Sequence, residues 1–380
     1  MKILILTQPL RTNYGGLLQA YALQTVLKTM GHDVVTDKND YRGVKYKFVV
    51  TYIIYRIIRG GILRNKKYLP IIPRLLTKNN YKIISQNTER FISKHIETVD
   101  FFKGKNKPSK SDIEKYDLFV VGSDQVWRKE YNQYLDNYFF SFLNGRKDKK
   151  TLVYAASFGV DNIDSTKDKL YKKCFNFLIN NKAISVREES AVGILKVQAN
   201  ICAIHVLDPT LLLEKEDYLK LIEDDDLEAK DNILMTYILD KSEAKDKIIQ
   251  DVSKKLNLNS YKLMPELNFT DNSVNIEKLI IPSVSSWISG FKDAKFVVTD
   301  SFHGAVFSII FNKQFIIIGN KKRGLSRFTS LLKIFKLENR MISDIDDIDN
   351  ILYEEIDFTK INSIKTEWKN KSISFLKTNI

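Results

Sequence analysis

The stretch Lys295–Gly319, KFVVTDSFHGAVFSIIFNKQFIIIG, reads as strand, tight polar turn, buried helix and strand. Phe296 to Thr299 is β-branched and aromatic, as a strand covered on both faces should be. Asp300-Ser301-Phe302-His303-Gly304 breaks that run. Ala305 to Phe311 then continues as a helix apolar on every side except Ser308, which requires it to be sandwiched between layers. Phe315 to Ile318 forms the next strand. In an open α/β sheet the ligand crevice lies outside the carboxyl ends of the strands, and the first turn of the following helix offers N–H groups to anions. His303 falls at that point, with Asp300 and Ser301 beside it as helix caps or proton carriers. One reading makes His303 a packed core residue; its place at a crevice mouth favours the other, an acid–base or ligand-binding group.

Working outward, the chain opens with a strand from Lys2 to Thr7, the polar turn Arg11-Thr12-Asn13-Tyr14-Gly15-Gly16, and a helix whose apolar residues Leu17, Tyr21, Leu23, Val26, Leu27 and Met30 recur at helical spacing. Gly31 ends that helix and Asp33 begins a second strand, so the opening is β-α-β. The Gly15-Gly16 pair predicts close backbone approach to a ligand, but the GxGxxG dinucleotide fingerprint is absent and no nicotinamide or flavin cofactor is indicated.

Four further apolar runs end on polar or glycine-bearing turns. Tyr116 to Val121 ends in Gly122-Ser123-Asp124, Thr151 to Ala156 in Ser157-Phe158-Gly159, Ala183 to Val186 in Arg187-Glu188-Glu189, and His205 to Leu207 in Asp208-Pro209. This is the pattern of a parallel sheet whose carboxyl edge forms a site. Arg187 is the anion-ligand candidate among them, set against a surface arginine paired with Glu188 or Glu189. Asn232 to Leu239 and Tyr261 to Met264 open a second α/β unit, and Lys321 to Phe328 forms a basic loop before a helix, bringing Arg323 and Arg327 as further anion ligands.

At 380 residues two domains are expected: 1–213, a linker at 214–230, 231–358, and a closing amphipathic helix at 359–380. Glu223 to Asp226 is read as a solvated acidic stretch in that linker in preference to a metal site. Cys174 and Cys202 lack zinc or disulfide spacing and are expected to be reduced core residues. The N-terminal apolar run is too short for a signal peptide, which predicts a cytoplasmic protein.

The net charge of +14 is gathered in one place. Residues 41–110 hold 17 Lys or Arg against Glu89, Glu97 and Asp100, so the rest of the chain is neutral. These basic residues alternate with aromatic and aliphatic ones in an insertion that cannot span a bilayer but suits an anionic membrane surface. Packing of its apolar side on its own domain is the competing reading. Basic charge with interleaved aromatics also fits nucleic acid, yet no DNA- or RNA-binding motif accompanies it and the polar strand ends would go unused.

The segments NYGGLLQAYALQ (13–24), VVGSDQVW (120–127), SVREES (185–190), LDPTLLL (207–213), VVTDSFHGAVFSIIF (297–311) and SRFTSLL (326–332) together resemble the polysaccharide pyruvyl transferase family, in order, over nearly the whole chain. The resemblance implies a GT-B-like α/β fold, with two Rossmann-like domains whose parallel sheets face across a cleft and a C-terminal helix returning to the first. It implies transfer of the enolpyruvyl unit of phosphoenolpyruvate to a saccharide, closed as a cyclic ketal, without metal or bound cofactor. The expected acceptor is a capsular or exopolysaccharide intermediate on a polyprenyl phosphate, met at the inner face of the cytoplasmic membrane. A sugar-nucleotide glycosyltransferase on the same fold is the alternative.

By this resemblance Arg187 and His303 match donor-binding positions, and the turn at Gly304 joins them. Ser301 stands where relatives carry an arginine, so Arg327, with Arg323 second, is expected to restore the missing charge. His303 and Asp300 are the proton-transfer candidates. Asn13, Tyr14, Gly15, Gly16, Ser123 and Asp124 are assigned to the acceptor.

Overall fold

The computed structural model describes residues 1–39, 78–103, 107–179, 181, 183–223, 225, 227–265, 275–319, 324–342 and 348–380. Most of the basic insertion, including Tyr46 to Leu63, and the Arg323 loop therefore lie outside the described residues, as do Asp224 and Asp226.

The apolar runs become two all-parallel sheets. The first contains β1 (Lys2–Leu6), β2 (Asp33–Asp37), β3 (Thr98–Val99), β4 (Leu118–Val121), β5 (Lys150–Ala156), β6 (Ile184–Val186) and β7 (Ile204–His205), in the order β3-β2-β1-β4-β5-β6-β7. The second contains β8 (Ile233–Tyr237), β9 (Asn259–Lys262), β10 (Ala294–Thr299), β11 (Gln314–Ile318) and β12 (Met341–Ile342), in the order β12-β11-β10-β8-β9. Each order reverses once, between β1 and β4 in the first sheet and between β8 and β10 in the second. A doubly wound sheet opens its ligand crevice at such a switch point. The first sheet follows the dinucleotide-fold order, whereas the second follows the flavodoxin-like order. Together they make an α/β, GT-B-like architecture whose carboxyl edges meet.

Five helices bear on that meeting: α1 (Tyr14–Thr29), α2 (Glu189–Ala199), α3 (Phe302–Ile310), α4 (Ser326–Phe335) and α5 (Phe358–Asn379). Every residue of α3 is buried, as its all-round apolarity requires. Its first turn is capped by Ser301, whose Oγ accepts the Gly304 N–H at 3.5 Å. Gly304 is dictated by packing: a β-carbon there would lie 2.1 Å from Thr299 Oγ1 on β10. One continuous apolar cluster joins Leu17, Leu18 and Leu23 of α1 to Trp287, Phe291 and Phe307 of the second unit. Tyr14 stacks on Trp287 at 5.6 Å within it.

Residues 214–230 include a helix, Lys215–Leu219, with Tyr218 buried and its hydroxyl donating to the Thr210 carbonyl at 2.8 Å. Helix α5 lies against the first unit, where Ser372 Oγ accepts the Leu207 N–H at 3.0 Å and Lys365 and Lys369 bind Glu214 at 2.9 and 2.6 Å. Two details differ from the sequence reading. Gly15 and Gly16 belong to the first turn of α1 and not to a loop before it. Cys174 is buried as expected, but Cys202 is exposed, because it falls between α2 and β7. No helix of the described residues is long and apolar enough to cross a membrane.

Candidate active site

The turns after β4, β6, β7 and β10 converge on one buried cluster. Arg187, at the end of β6, donates from Nη1 to Asp208 Oδ2 at 2.8 Å and to Ser123 Oγ at 3.3 Å, and from Nη2 to Asp124 Oδ1. Its side chain is 1% exposed, so it serves as an internal bridge between three strand ends and not as a surface arginine. Burial disfavours its charge, but Asp124 and Asp208 more than compensate and hold the guanidinium more firmly protonated than usual. The same pairing keeps both aspartates ionised: burial opposes their charge, and His303 and Arg187 beside Asp208, and Arg187 beside Asp124, outweigh it. Among the described residues, no group of three or more His, Cys, Asp or Glu is arranged to hold a metal ion.

The second unit brings His303 and Arg327 to this cluster. His303 Nε2 stands 3.7 Å from Asp208 Oδ2, an ion-pair distance too long for a hydrogen bond, and it makes no hydrogen bond within the described protein. The ring is 4% exposed and lies against the first turn of α1, where a β-carbon on Gly15 would come within 2.0 Å of Nδ1. The sequence reading had the glycine pair approach a ligand; at Gly15 the near neighbour is the His303 ring, and at Gly16 it is Asn13. Phe302 carries both cations on its ring, with Arg187 4.4 Å and Arg327 5.7 Å from its centroid. Burial, then the neighbouring Arg187, lowers the Arg327 guanidinium to about 10.

Other residues singled out in the sequence go elsewhere. The Asp300 carboxylate accepts the Leu239 N–H at 2.6 Å, the Asp240 N–H at 3.1 Å and Lys245 Nζ at 2.6 Å, which ties down the loop after β8 and points it away from His303's partners. Tyr14 donates its hydroxyl to the Pro282 carbonyl at 2.8 Å and packs between the units. Ser123 and Asp124 are committed to Arg187. Asn13 is exposed at the start of α1, close to Gly16.

The sequence reading did not single out Asp208, Phe302 or Glu188 as site residues. Phe302 and Glu188 each stand beside a residue that was chosen, and Asp208 follows the strand read at His205 to Leu207; that placement was the available signal. Glu188 is fully buried, and its Oε1 accepts from Ser157 Oγ at 3.0 Å and from the N–H groups of Phe158 and Gly159 at 2.9 and 3.2 Å. Burial, opposed by Arg187, raises its affinity for a proton. Buried side-chain atoms of this cluster that make no hydrogen bond in the described protein include Arg187 Nε, Glu188 Oε2 and His303 Nε2. Native interiors rarely leave such groups unmatched, and a polar ligand is one way to satisfy them.

The units are latched beside the cluster. Ser326 donates its N–H to Asp161 Oδ1 at 3.0 Å, Glu189 donates its N–H to Ser330 Oγ at 2.9 Å, and Gly324, at φ +82°, sits so close to Gly159 that a β-carbon would lie 2.3 Å from its carbonyl oxygen.

The family model for polysaccharide pyruvyl transferase matches residues 13–322. No protein of curated function matches the chain. Similar solved structures include the S. aureus MnaA–UDP complex, at 14% identity over 99% of this chain and 96% of that one with a TM-score of 0.47. The Methanocaldococcus jannaschii UDP-GlcNAc 2-epimerase in complex with UDP-GlcNAc and UDP is 12% identical over 97% and 100%, with a TM-score of 0.48. The Neisseria meningitidis UDP-GlcNAc 2-epimerase bound to UDP-GlcNAc is 10% identical over 98% and 94%, with a TM-score of 0.44.

Proposed function

The chain belongs to the polysaccharide pyruvyl transferase family, and from that premise we propose that it moves the enolpyruvyl unit of phosphoenolpyruvate onto two hydroxyls of one saccharide to close a pyruvate ketal. The observation that supports this reading is that Arg187 Nε and Glu188 Oε2, at the end of β6, and His303 Nε2, in the first turn of the helix after β10, are buried without hydrogen bonds in the described protein.

The donor carries a carboxylate and a phosphate. Arg187 is already bound to two carboxylates, so it offers the donor Nε and not its whole guanidinium. Arg327, also over the Phe302 ring, supplies a second cation, in the sense expected for the arginine that Ser301 replaces. In this reading His303 takes the proton of an attacking hydroxyl, and Asp208, 3.7 Å from its Nε2, holds the imidazolium that results. Asp300 is too committed to Lys245 and to backbone N–H groups to act as that base. All these groups are buried, so donor entry requires the latches at Asp161–Ser326 and Glu189–Ser330 to open.

The acceptor we propose is linked to a polyprenyl phosphate, with the basic insertion holding the enzyme at the anionic membrane surface where such carriers reside. Incubation with isotope-labelled phosphoenolpyruvate and a panel of lipid-linked and free saccharides tests both points. Labelled pyruvate ketal with stoichiometric phosphate is the expected product, and transfer from a sugar nucleotide with none from phosphoenolpyruvate would overturn the reading.

A further inference from the structure

Glu188 is an unusual carboxyl group for a structural one. It follows Arg187 at the end of β6, occupies the N-cap position of α2 without using its side chain as the cap, and is 0% exposed. Its two oxygens are treated differently. Oε1 takes three donors, Ser157 Oγ and the N–H groups of Phe158 and Gly159, while Oε2 takes none. A buried acceptor left unmatched costs about 1–3 kcal/mol, and bracing the turn after β5 uses only Oε1, so that role leaves the cost at Oε2 unanswered. The charged groups that act on it are Arg187 on its own turn and Arg327 from α4.

We propose that Glu188 is the acid that protonates the methylene carbon of the enolpyruvyl group and is the site to which a proton returns at the end of the cycle. This rests on the phosphoenolpyruvate reading above. Because three donors fix Oε1 as an acceptor, the proton of the neutral acid resides on Oε2, the oxygen with no partner in the protein. Transfer of that proton makes the new C–H bond from the alkene's electron pair and leaves an electron-poor C2, supported by the bridging oxygen. The Glu188 carboxylate formed at that moment is held by its three donors and by the charges of Arg187 and Arg327.

The first saccharide hydroxyl then bonds to C2 and gives its proton to His303 Nε2. The C2–O bond to phosphate breaks with its electron pair staying on phosphate, which leaves carrying the proton from His303. The second hydroxyl bonds to C2 and returns its proton to Glu188 Oε2. One donor and one diol thus give one ketal and one hydrogen phosphate, with both catalytic groups restored. Burial raises the proton affinity of Glu188, which suits an acid at neutral pH.

Wild type, Glu188→Gln and Glu188→Asp are compared on phosphoenolpyruvate and a saccharide that the wild type converts. Expected are a loss in kcat of about 10²–10⁴-fold for Glu188→Gln with a KM for phosphoenolpyruvate little changed, partial recovery in Glu188→Asp, and a kcat profile that falls on the alkaline side in the wild type and loses that limb in Glu188→Gln. Infrared difference spectra on raising the pH, taken without acceptor, should show, beyond the band that Asp37 gives in both proteins, a carboxylic-acid carbonyl band in the wild type that Glu188→Gln lacks. Wild-type turnover of phosphoenolpyruvate with Glu188→Gln equally active, or superimposable infrared spectra, overturns the assignment of Glu188 alone. A wild type that never consumes phosphoenolpyruvate with any acceptor overturns the underlying reading. If Glu188→Gln does not fold, as judged by melting, Glu188→Asp and the wild-type spectrum against a pH-matched Ser157→Ala variant decide: an unchanged acid band and unchanged kcat in both variants also overturn it.

Discussion

The imidazole of His303 lies on the backbone of Gly15, so tightly that a β-carbon at Gly15 would come within 2.0 Å of Nδ1 and 2.2 Å of Cγ. These residues begin helices of different sheets, α1 and α3, and their contact sets the position of the imidazole relative to Asp208. Gly15→Ala should therefore displace His303 and abolish ketal formation. Alanine is favoured over glycine in a helix by roughly 0.5–1 kcal/mol, which offsets part of the steric cost. Gly16→Ala is the control, since its β-carbon would meet Asn13 Nδ2 only at 3.3 Å, and His303→Ala should match Gly15→Ala in activity. Melting and turnover measured together check this. Gly15→Ala with full turnover would show that the imidazole's position is unimportant.

The two arginines on Phe302 should fail in different ways when removed. Arg187→Ala leaves Asp124 and Asp208 buried and unpaired, so it should destabilise the fold by about 3–5 kcal/mol and not only weaken donor binding. Arg327→Ala should raise the KM for phosphoenolpyruvate, with a smaller change in melting. Denaturant titration and initial-rate kinetics on both variants make the comparison. An unchanged KM in Arg327→Ala would exclude it as the replacement for the arginine absent at Ser301.

Asp37, at the end of β2, gives a pH prediction away from the site. Burial raises its carboxyl to about 7, against the backbone N–H groups of Phe101, Phe102 and Asn39 that favour its charge. A carboxyl whose folded pKa lies above its unfolded value near 3.8 stays protonated in the folded chain while the unfolded chain ionises. Stability should consequently fall as pH rises from about 4 towards 7 and then level off as the folded carboxyl ionises as well. Asp37→Asn should flatten that part of the profile. Urea unfolding across the range, wild type against variant, measures the difference, and identical slopes would sink the prediction.

The alternation of apolar strands and polar turns was legible because a parallel strand covered on both faces is a continuous apolar run. It failed at β3 and β12, two-residue edge strands with no run to read. The sequence also placed Arg187, Ser123, Asp124 and His303 at strand ends, but their mutual commitments were hidden. Arg187 meets Asp124 and Asp208 from strands 63 and 21 residues away, and nothing local marks that pairing. Asp300 and Ser301 were equivalent as caps on paper. Ser301 caps α3, and Lys245, 55 residues away, draws Asp300 elsewhere. Glu188 was weighed only as a surface partner for Arg187, because adjacency in sequence does not say which way a carboxylate turns.

The last prediction concerns the basic insertion, whose chemistry over residues 41–77 is read from sequence alone; beyond it the structure corrects the insertion's bounds, because β3 joins the first sheet and Phe91, Ile92, Ile96, Phe101 and Phe102 pack in the core. Residues 41–110 contain all of the chain's excess positive charge, interleaved with aliphatic and aromatic residues. Each lysine or arginine near an anionic bilayer contributes about 1 kcal/mol, and exposed charges are screened over ~8 Å at physiological ionic strength. Binding to phosphatidylserine-containing vesicles should therefore be strong at low salt, weaken as salt rises, and vanish with neutral lipid. A lipid-linked acceptor is confined to that surface, so docking raises its encounter rate without altering the site. Replacing Arg56, Arg59, Arg64, Lys66 and Lys67 with glutamine should depress activity on a lipid-linked acceptor and spare a short water-soluble one. Equal losses on both would mean that the insertion shapes the cleft, and a wild type that ignores anionic vesicles would remove the membrane from the account.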